Sequence, residues 1–307
     1  MIIIFRQRII DQISIWQFTP SDEIVALVDR IKFSDEGKFY FYTSHPELES
    51  AADFNKSCNR IESTTSILGC FNNFKIYIYN VTDTRLDGIR EVTASHEMLH
   101  AVYQRLSQNE KTELNKLLEN EYEKLSNDSS FVELIAFYEK TEPGERYNEL
   151  FSVVGTTVAD LDSELRVYYD KYFSDRQTIV AYNNKYNGVF KDLSDQASSL
   201  ATTLNTLSET ISTNSEKYNA DVEILNDDID SFNERAELGN FKSLSQFYSE
   251  RSIIEARVDA INLTRQSINE DINTYNSTLV NYNSIALDSQ QLYDSIDSIL
   301  AEAESIK

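Results

Sequence analysis

The sequence predicts an α+β fold: a small sheet packed with helices in the first half of the chain, followed by a long antiparallel helical hairpin. Three observations carry this. All three prolines (Pro20, Pro46, Pro143) and four of the seven glycines fall before residue 145. Two short segments rich in aromatic and β-branched residues, Lys38 to Thr43 and Phe74 to Val81, lie in the same part. From Leu161 onward, apolar residues recur at alternating three- and four-residue steps for more than a hundred residues. A chain of 307 residues suggests two domains if each holds about 150, and the change of character divides them as 1–165 and 166–307.

Along the first part, Thr19-Pro20-Ser21-Asp22 reads as an N-cap with proline at the first helical position. It opens an amphipathic helix with Ile24, Leu27, Val28 and Ile31 on one face. Lys38–Thr43 and Phe74–Val81 are the two expected strands. A helix follows over Ile89 to Leu106, with Val92, His96, Leu99 and Tyr103 in step. Ser107-x-x-Glu110 is a capping box for the next helix, which turns Leu114, Leu117, Leu118, Tyr122 and Leu125 inward. Two more helices are expected around Phe131 to Tyr138 and from Arg146, parted by Glu142-Pro143-Gly144.

The seam of the hairpin's first arm starts with Leu161, Leu165, Tyr168 and Tyr172. It resumes from Ile179 through Leu204, Ile211, Leu225 and Phe232 to Ala236, with a stutter near Tyr218 and Val222. Glu237-Leu238-Gly239-Asn240 interrupts it, which places the turn near 237–244. The second arm reads Phe247, Arg251, Ile254, Val258, Ile261, Arg265, Ile268, Ile272, Tyr275, Leu279, Tyr282, Ala286, Tyr293, Ile296 and Leu300. Two long helices joined by one short turn fold back antiparallel, the second, of about 57 residues, a rod on the order of 85 Å at 1.5 Å per residue. Asn214, Arg251 and Arg265 are the polar seam residues expected to set register.

Charge narrows the partners. With 28 Lys+Arg against 51 Asp+Glu the net charge is -23 and no basic run offsets it, so nucleic acid is not an expected partner. The apolar stretches fall short of the roughly 18 residues that span a bilayer, so no transmembrane segment is expected. Met1 to Phe5 is apolar but is cut off by Arg6, Gln7 and Arg8, too short for the core of a signal peptide. Cys58 and Cys70, twelve apart, are either a local disulfide or two free thiols. The compartment stays open with them: a disulfide and an export segment lost from this start would place the chain outside the cytoplasm, free thiols inside it.

The residues with the most chemical content are His96-Glu97-Met98-Leu99-His100, an HExxH motif on a predicted helix. Residues i and i+4 share a helix face, so both imidazoles can reach one Zn2+, while Glu97 is set to take a proton from a water polarised by the metal. That is the chemistry of amide hydrolysis. A catalytic zinc needs a third protein ligand and an open position. Glu149, 49 residues after His100 in Tyr147-Asn148-Glu149-Leu150, is the candidate, with Glu121, Glu133, Glu142, Glu145 and Asp160 as competitors.

Here the chain resembles the gluzincin group of zinc metallopeptidases, in which HExxH is followed some tens of residues later by a glutamate, often in an Asn-Glu pair on a second helix. The resemblance covers roughly residues 38–160 and implies a zincin-like metallopeptidase domain, with Zn2+ on His96, His100 and Glu149 and with Glu97 catalytic. The HExxHxxGxxH extension is missing, Leu106 standing where its last histidine would be, which argues against a metzincin. Val153 follows Glu149 by four where thermolysin-like members carry an aspartate, so the partner of the zinc histidine is unassigned. The resemblance also implies an oxyanion stabiliser, for which Tyr147, Tyr168 and Tyr169 are candidates by position; His45, beside Pro46, reads as a loop residue.

The expected function is therefore zinc-dependent hydrolysis of a peptide or protein, with the hairpin as spacer or arm for a protein partner. The alternative is a non-catalytic coiled-coil interaction protein with a structural or vestigial zinc site. Hydrolysis of a non-peptide amide would use the same metal chemistry.

Overall fold

A computed structural model of the chain describes residues 2–58 and 67–305, with the side chains of 2–6 and 302–305 excepted. It is mostly helical. The chain divides into two compact units, one of Met1–Lys191 with Gln290–Lys307 and one of Asp192–Ser289. The first unit thus runs past residue 165 and takes back the end of the second long helix.

In the first unit α1 spans Ile2–Trp16, α2 Asp22–Ile31 and α3 Asp35–Thr43. The cap of α2 is Ser21, whose hydroxyl accepts from Ile24 N–H, so Pro20 stands before the helix rather than at its first position. Its four expected core residues are buried. Helix α3 overturns an expectation, since Lys38–Thr43 is helical rather than a strand. Two local signals outweigh its aromatic content. Ser34 accepts from Gly37 N–H, and Asp35 and Glu36 sit in the first turn, where backbone N–H groups favour acceptors and negative charge. The packing agrees with a helical period: Gly37 and Phe41 are buried four apart, and Gly37 lies so close to the Tyr172 carbonyl that an added Cβ would stand 2.0 Å from its oxygen.

The sheet is three-stranded, with β1 (Glu47–Glu49), β2 (Gly69–Asn72) and β3 (Lys75–Tyr79) in the order β1-β3-β2. β1 runs parallel to β3 and β2 antiparallel to it, with Gly69 opposite Ile78. β3 is the expected strand, shortened because Asn73 and Phe74, both at positive φ, form the two-residue turn of the β2-β3 hairpin. Helix α4 (Ala51–Ser57) follows β1, and Cys58, directly after it, forms a disulfide with Cys70 on β2. The motif helix α5 (Ile89–Arg105) packs on the sheet and on α2, α3 and α8 (Arg146–Thr157). It is buried on almost every side; Met98, Leu99 and Ala101 have no exposed surface. Its last turn is tied to α1 by Arg105, whose guanidinium donates to both oxygens of buried Asp11.

Helix α6 (Gln108–Lys124) opens with the full capping box of Ser107 and Glu110, and buries Leu114 and Leu118. α7 (Ser129–Thr141) and α8 are parted at Glu142-Pro143-Gly144. The expected seam from Leu161 begins differently: α9 (Ser163–Tyr169) is a short separate helix, and Leu165 and Tyr172 belong to the core of the first unit. At the far end of the chain α12 (Ser298–Ser305) packs on α4, with Ser298 Oγ donating to Asn55 Oδ1 at 2.6 Å.

The second unit consists of α10 (Arg176–Glu237) from residue 192 to its end and most of α11 (Leu244–Ile296). The turn falls at 238–243. Gly239 has φ 67, Asn240 N–H donates to Arg235 C=O and Gly239 N–H to Ala236 C=O, a Schellman cap that needs a left-handed residue. Beside the turn Phe232 meets Phe247, Arg235 pairs with Glu250, and further along Arg257 pairs with Asp228, an antiparallel register. On α10 the expected seam is the covered face: Leu204, Leu225 and Phe232 are buried and Asn214 half-buried, while Ala236 is exposed. On α11 the reading is half corrected. Ile254, Ile261, Ile268, Tyr275 and Tyr282 are covered, but Arg251, Val258, Arg265, Ile272 and Ala286 are exposed. Their places are taken by Arg257, Thr264, Asp271, Thr278 and Ile285. Arg251 and Arg265 therefore do not act as buried polar residues.

Candidate metal centre

Helix α5 presents His96 and His100 one turn apart, their rings 4.6 Å between centroids and nearly perpendicular. Helix α8 lies against this face, and Glu149 in its first turn is 3% exposed. Its close approach depends on Gly155, where an added Cβ would stand 2.5 Å from Leu99 Cδ1 and 2.6 Å from the Tyr169 ring. The carboxylate reaches both histidines: Oε1 is 3.3 Å from His100 Nε2 and Oε2 is 3.5 Å from His96 Nε2. One ring nitrogen from each histidine and a carboxylate oxygen lie within 4.8 Å of one another.

The donor set fits a metal. Two nitrogens and an oxygen held about 2.0–2.1 Å from one tetrahedral ion stand about 3.3 Å apart, close to both His–Glu separations. Glu149 Oε2 is buried with no hydrogen-bond partner, a costly arrangement for a carboxylate unless a cation compensates it. Burial pushes the Glu149 carboxyl up, but the neighbouring His100 and His96 rings outweigh it, and the net direction is down. The His100 ring is oriented from behind. Its Nδ1 lies 3.0 Å from Asn148 Oδ1 and 3.2 Å from Ser152 Oγ. Asn148 Nδ2 donates to Glu145 Oε2, which assigns Oδ1 as the acceptor for Nδ1–H and leaves Nε2 free to bind a metal. Asn148 is the partner that the sequence left unassigned, visible there only as half of the Asn-Glu pair.

The cluster lies in a cavity of about 770 Å³. Glu97, Gly69 and Phe71 line one part of it, Tyr138 another, and Asn183 and Tyr186 of α10 a third. Glu97 is buried against β2: a Cβ on Gly69 would come within 2.7 Å of Glu97 Oε1. Burial pushes its carboxyl up to about 8, His100 pulling down and Glu149 and Glu142 adding to the rise. Glu142 is raised as well, by burial and then by Glu149.

Tyr147, Tyr168 and Tyr169 do not line the cavity. Tyr169 is fully buried and donates to Phe151 C=O at 2.8 Å. Tyr138 lines it instead, its ring 6.3 Å from that of His96 and stacked on it. Its phenol is raised by burial and by the charges of Glu149 and Glu97. Nothing in the sequence marked it beyond membership of the helix before Pro143. Among the competing acids, Glu133 and Asp160 are exposed, Glu121 is held by Lys124, and Glu142 and Glu145 line the cavity outside the cluster. His45 lies in the loop before β1, stacked on Phe18 and bonded to Ser14.

Compared with known proteins, the chain matches no family model, no curated protein and no solved structure.

Proposed function

We propose that the chain is a zinc-dependent peptide hydrolase of gluzincin type, with His96, His100 and Glu149 as ligands. The observation that carries this is the buried, unpartnered Glu149 Oε2 beside two imidazole nitrogens at the head of a cavity. Zinc bound there would supply Lewis acidity, lowering the pKa of a water and polarising the carbonyl under attack.

The chain's own residues account for the rest. Glu97, next in sequence to His96 and walled off by Gly69, accepts the proton of the attacking water as its oxygen bonds to the carbonyl carbon. It returns the proton to the amide nitrogen as the C–N bond breaks. A carboxylate beside a divalent cation is far easier to ionise than one that is merely buried, so the raised value at Glu97 describes the metal-free chain. Tyr138 stays protonated and donates a hydrogen bond to the developing oxyanion. Asn148 and Ser152 hold the His100 ring in place. The helix pair of the second unit serves as spacer or interaction arm.

The test is zinc content of the purified chain together with cleavage of a peptide library. We expect one zinc per chain, lost or weakened in Glu149→Ala, and cleavage abolished in Glu97→Gln with zinc retained. No zinc after loading would remove the reading. Zinc without cleavage, or cleavage indifferent to Glu97→Gln, would leave a structural or vestigial site in an interaction protein.

A further inference from the structure

Helix α11 carries more apolar surface than α10 covers. Its covered face alternates between an apolar row, Ile254, Ile261, Ile268 and Tyr275, and a polar row, Arg257, Thr264, Asp271 and Thr278. One residue after each member of the polar row stand Val258, Arg265, Ile272 and Leu279, part of a strict seven-residue series from Leu244 to Ala286. In this series Leu244 is 75% exposed, Val258 and Ile272 each 37%, and Arg251, Arg265 and Ala286 are exposed. Steps of four from the apolar row to this series, and three back, make a second heptad seam that shares one row with the first. A helix with two overlapping seams packs on two neighbours, and within the second unit α11 has one.

We infer that the second seam is covered by a second copy of this chain. The two hairpins lie side by side with their turns at the same end and close a four-helix bundle, in which α11 of each copy packs on α10 of the other. The seam adjoins the interface that α10 already occupies, so the bundle extends that interface without a gap. Charge selects the same neighbour. α10 exposes Glu216, Glu223, Asp230 and Glu237 at steps of seven, while the second seam of α11 contains Arg265. The Arg257–Asp228 and Arg235–Glu250 pairs set the levels. They place Arg265 level between Glu216 and Glu223, in either copy of a bundle with this symmetry. Near the turn, a hollow of about 400 Å³ lined by Phe232, Phe247, Arg251 and Ile254 opens beside the same seam. A strip about 60 Å long and about 10 Å wide covers about 600 Å² per helix, and with two such contacts the pair exceeds the roughly 1,000 Å² of a specific interface.

Sedimentation velocity of the full chain, over concentrations up to about 100 μM, reads the outcome. We expect a dimer that becomes a monomer in the double variant Val258→Glu with Ile272→Glu, at unchanged helical content by circular dichroism. Leu263→Glu with Val280→Glu, exposed apolar positions off both seams, should remain dimeric. Arg265→Glu should weaken the dimer at least about tenfold, and Glu216→Arg with Glu223→Arg in the same chain should restore it. A wild type monomeric at every concentration, a dimer that Val258→Glu with Ile272→Glu leaves intact, or one that both pairs disrupt alike, would overturn the inference.

Discussion

Glu97 has a consequence that can be measured without any substrate. In the metal-free chain its folded carboxyl titrates at about 8, against about 4.3 when unfolded. A carboxyl raised on folding holds its proton in the native state while the unfolded chain has released it. The native state is therefore favoured below the unfolded value, and that advantage is lost as pH rises toward 8. The slope is at most about 1.4 kcal/mol per pH unit. Urea unfolding of the metal-free chain should show Glu97→Gln gaining on the wild type between about pH 5 and pH 8, and parallel curves would refute the burial argument. Tyr138 offers a kinetic counterpart. Its phenol lies in the cavity beside His96, and a hydrogen bond made only to the oxyanion acts on turnover. Tyr138→Phe should lower kcat by about a hundredfold with KM and zinc content unchanged; a rise in KM alone would make Tyr138 a binding residue instead.

At the scale of elements the two helices and the strand around the cluster are held by two glycines with separable effects. Gly155 sets the distance between α8 and α5, so Gly155→Ala forces a Cβ into Leu99 and Tyr169 and should cost about 1–3 kcal/mol. Zinc affinity should fall with it, because Glu149 moves with α8. An added Cβ at Gly69 meets Thr93 and Glu97 first, so Gly69→Ala should lower kcat while zinc stays bound. Equal loss of zinc in both variants would contradict this division. The same elements show what was readable in the sequence. His96 and His100 announced themselves because a helix enforces their spacing locally, and Ser107 with Glu110 announced α6 in the same way; Glu149, on a different helix, stood among five competing acids until the packing of α8 on α5 brought it to the histidines. Lys38–Thr43 misled because six residues of aromatic sequence carry both periods, and the decision came from Ser34 behind them and from Tyr172 far along the chain. Strands β1 and β2 are too short to leave a pattern. On α11 the i+4 steps offered Val258, Ile272 and Leu279 beside Arg251 and Arg265, and periodicity alone could not tell that α10 covers the polar i+3 row instead.

The whole molecule has two separate cores joined by two continuous helices. The first unit holds the sheet, the motif helix and the cluster, whereas the second buries little more than a single stripe with Leu204, Leu225, Phe232 and Ile268 along it. A ligand that binds only the native first unit stabilises that unit by RT ln(1 + [L]/Kd), about 2.7 kcal/mol at a hundred times Kd. An alanine at Ile268, 8% exposed in the stripe of the second unit, removes about 2 kcal/mol from that unit alone. Differential scanning calorimetry should therefore resolve two transitions, with zinc raising one Tm and Ile268→Ala lowering the other. The opposite result, one transition moved by both, would mean that α10, which lines the cavity at Asn183 and Tyr186 and continues unbroken to Glu237, couples the units into a single cooperative fold. In that case occupancy of the metal centre and packing of the distant helix pair would be thermodynamically linked, and Ile268→Ala should weaken zinc binding as well.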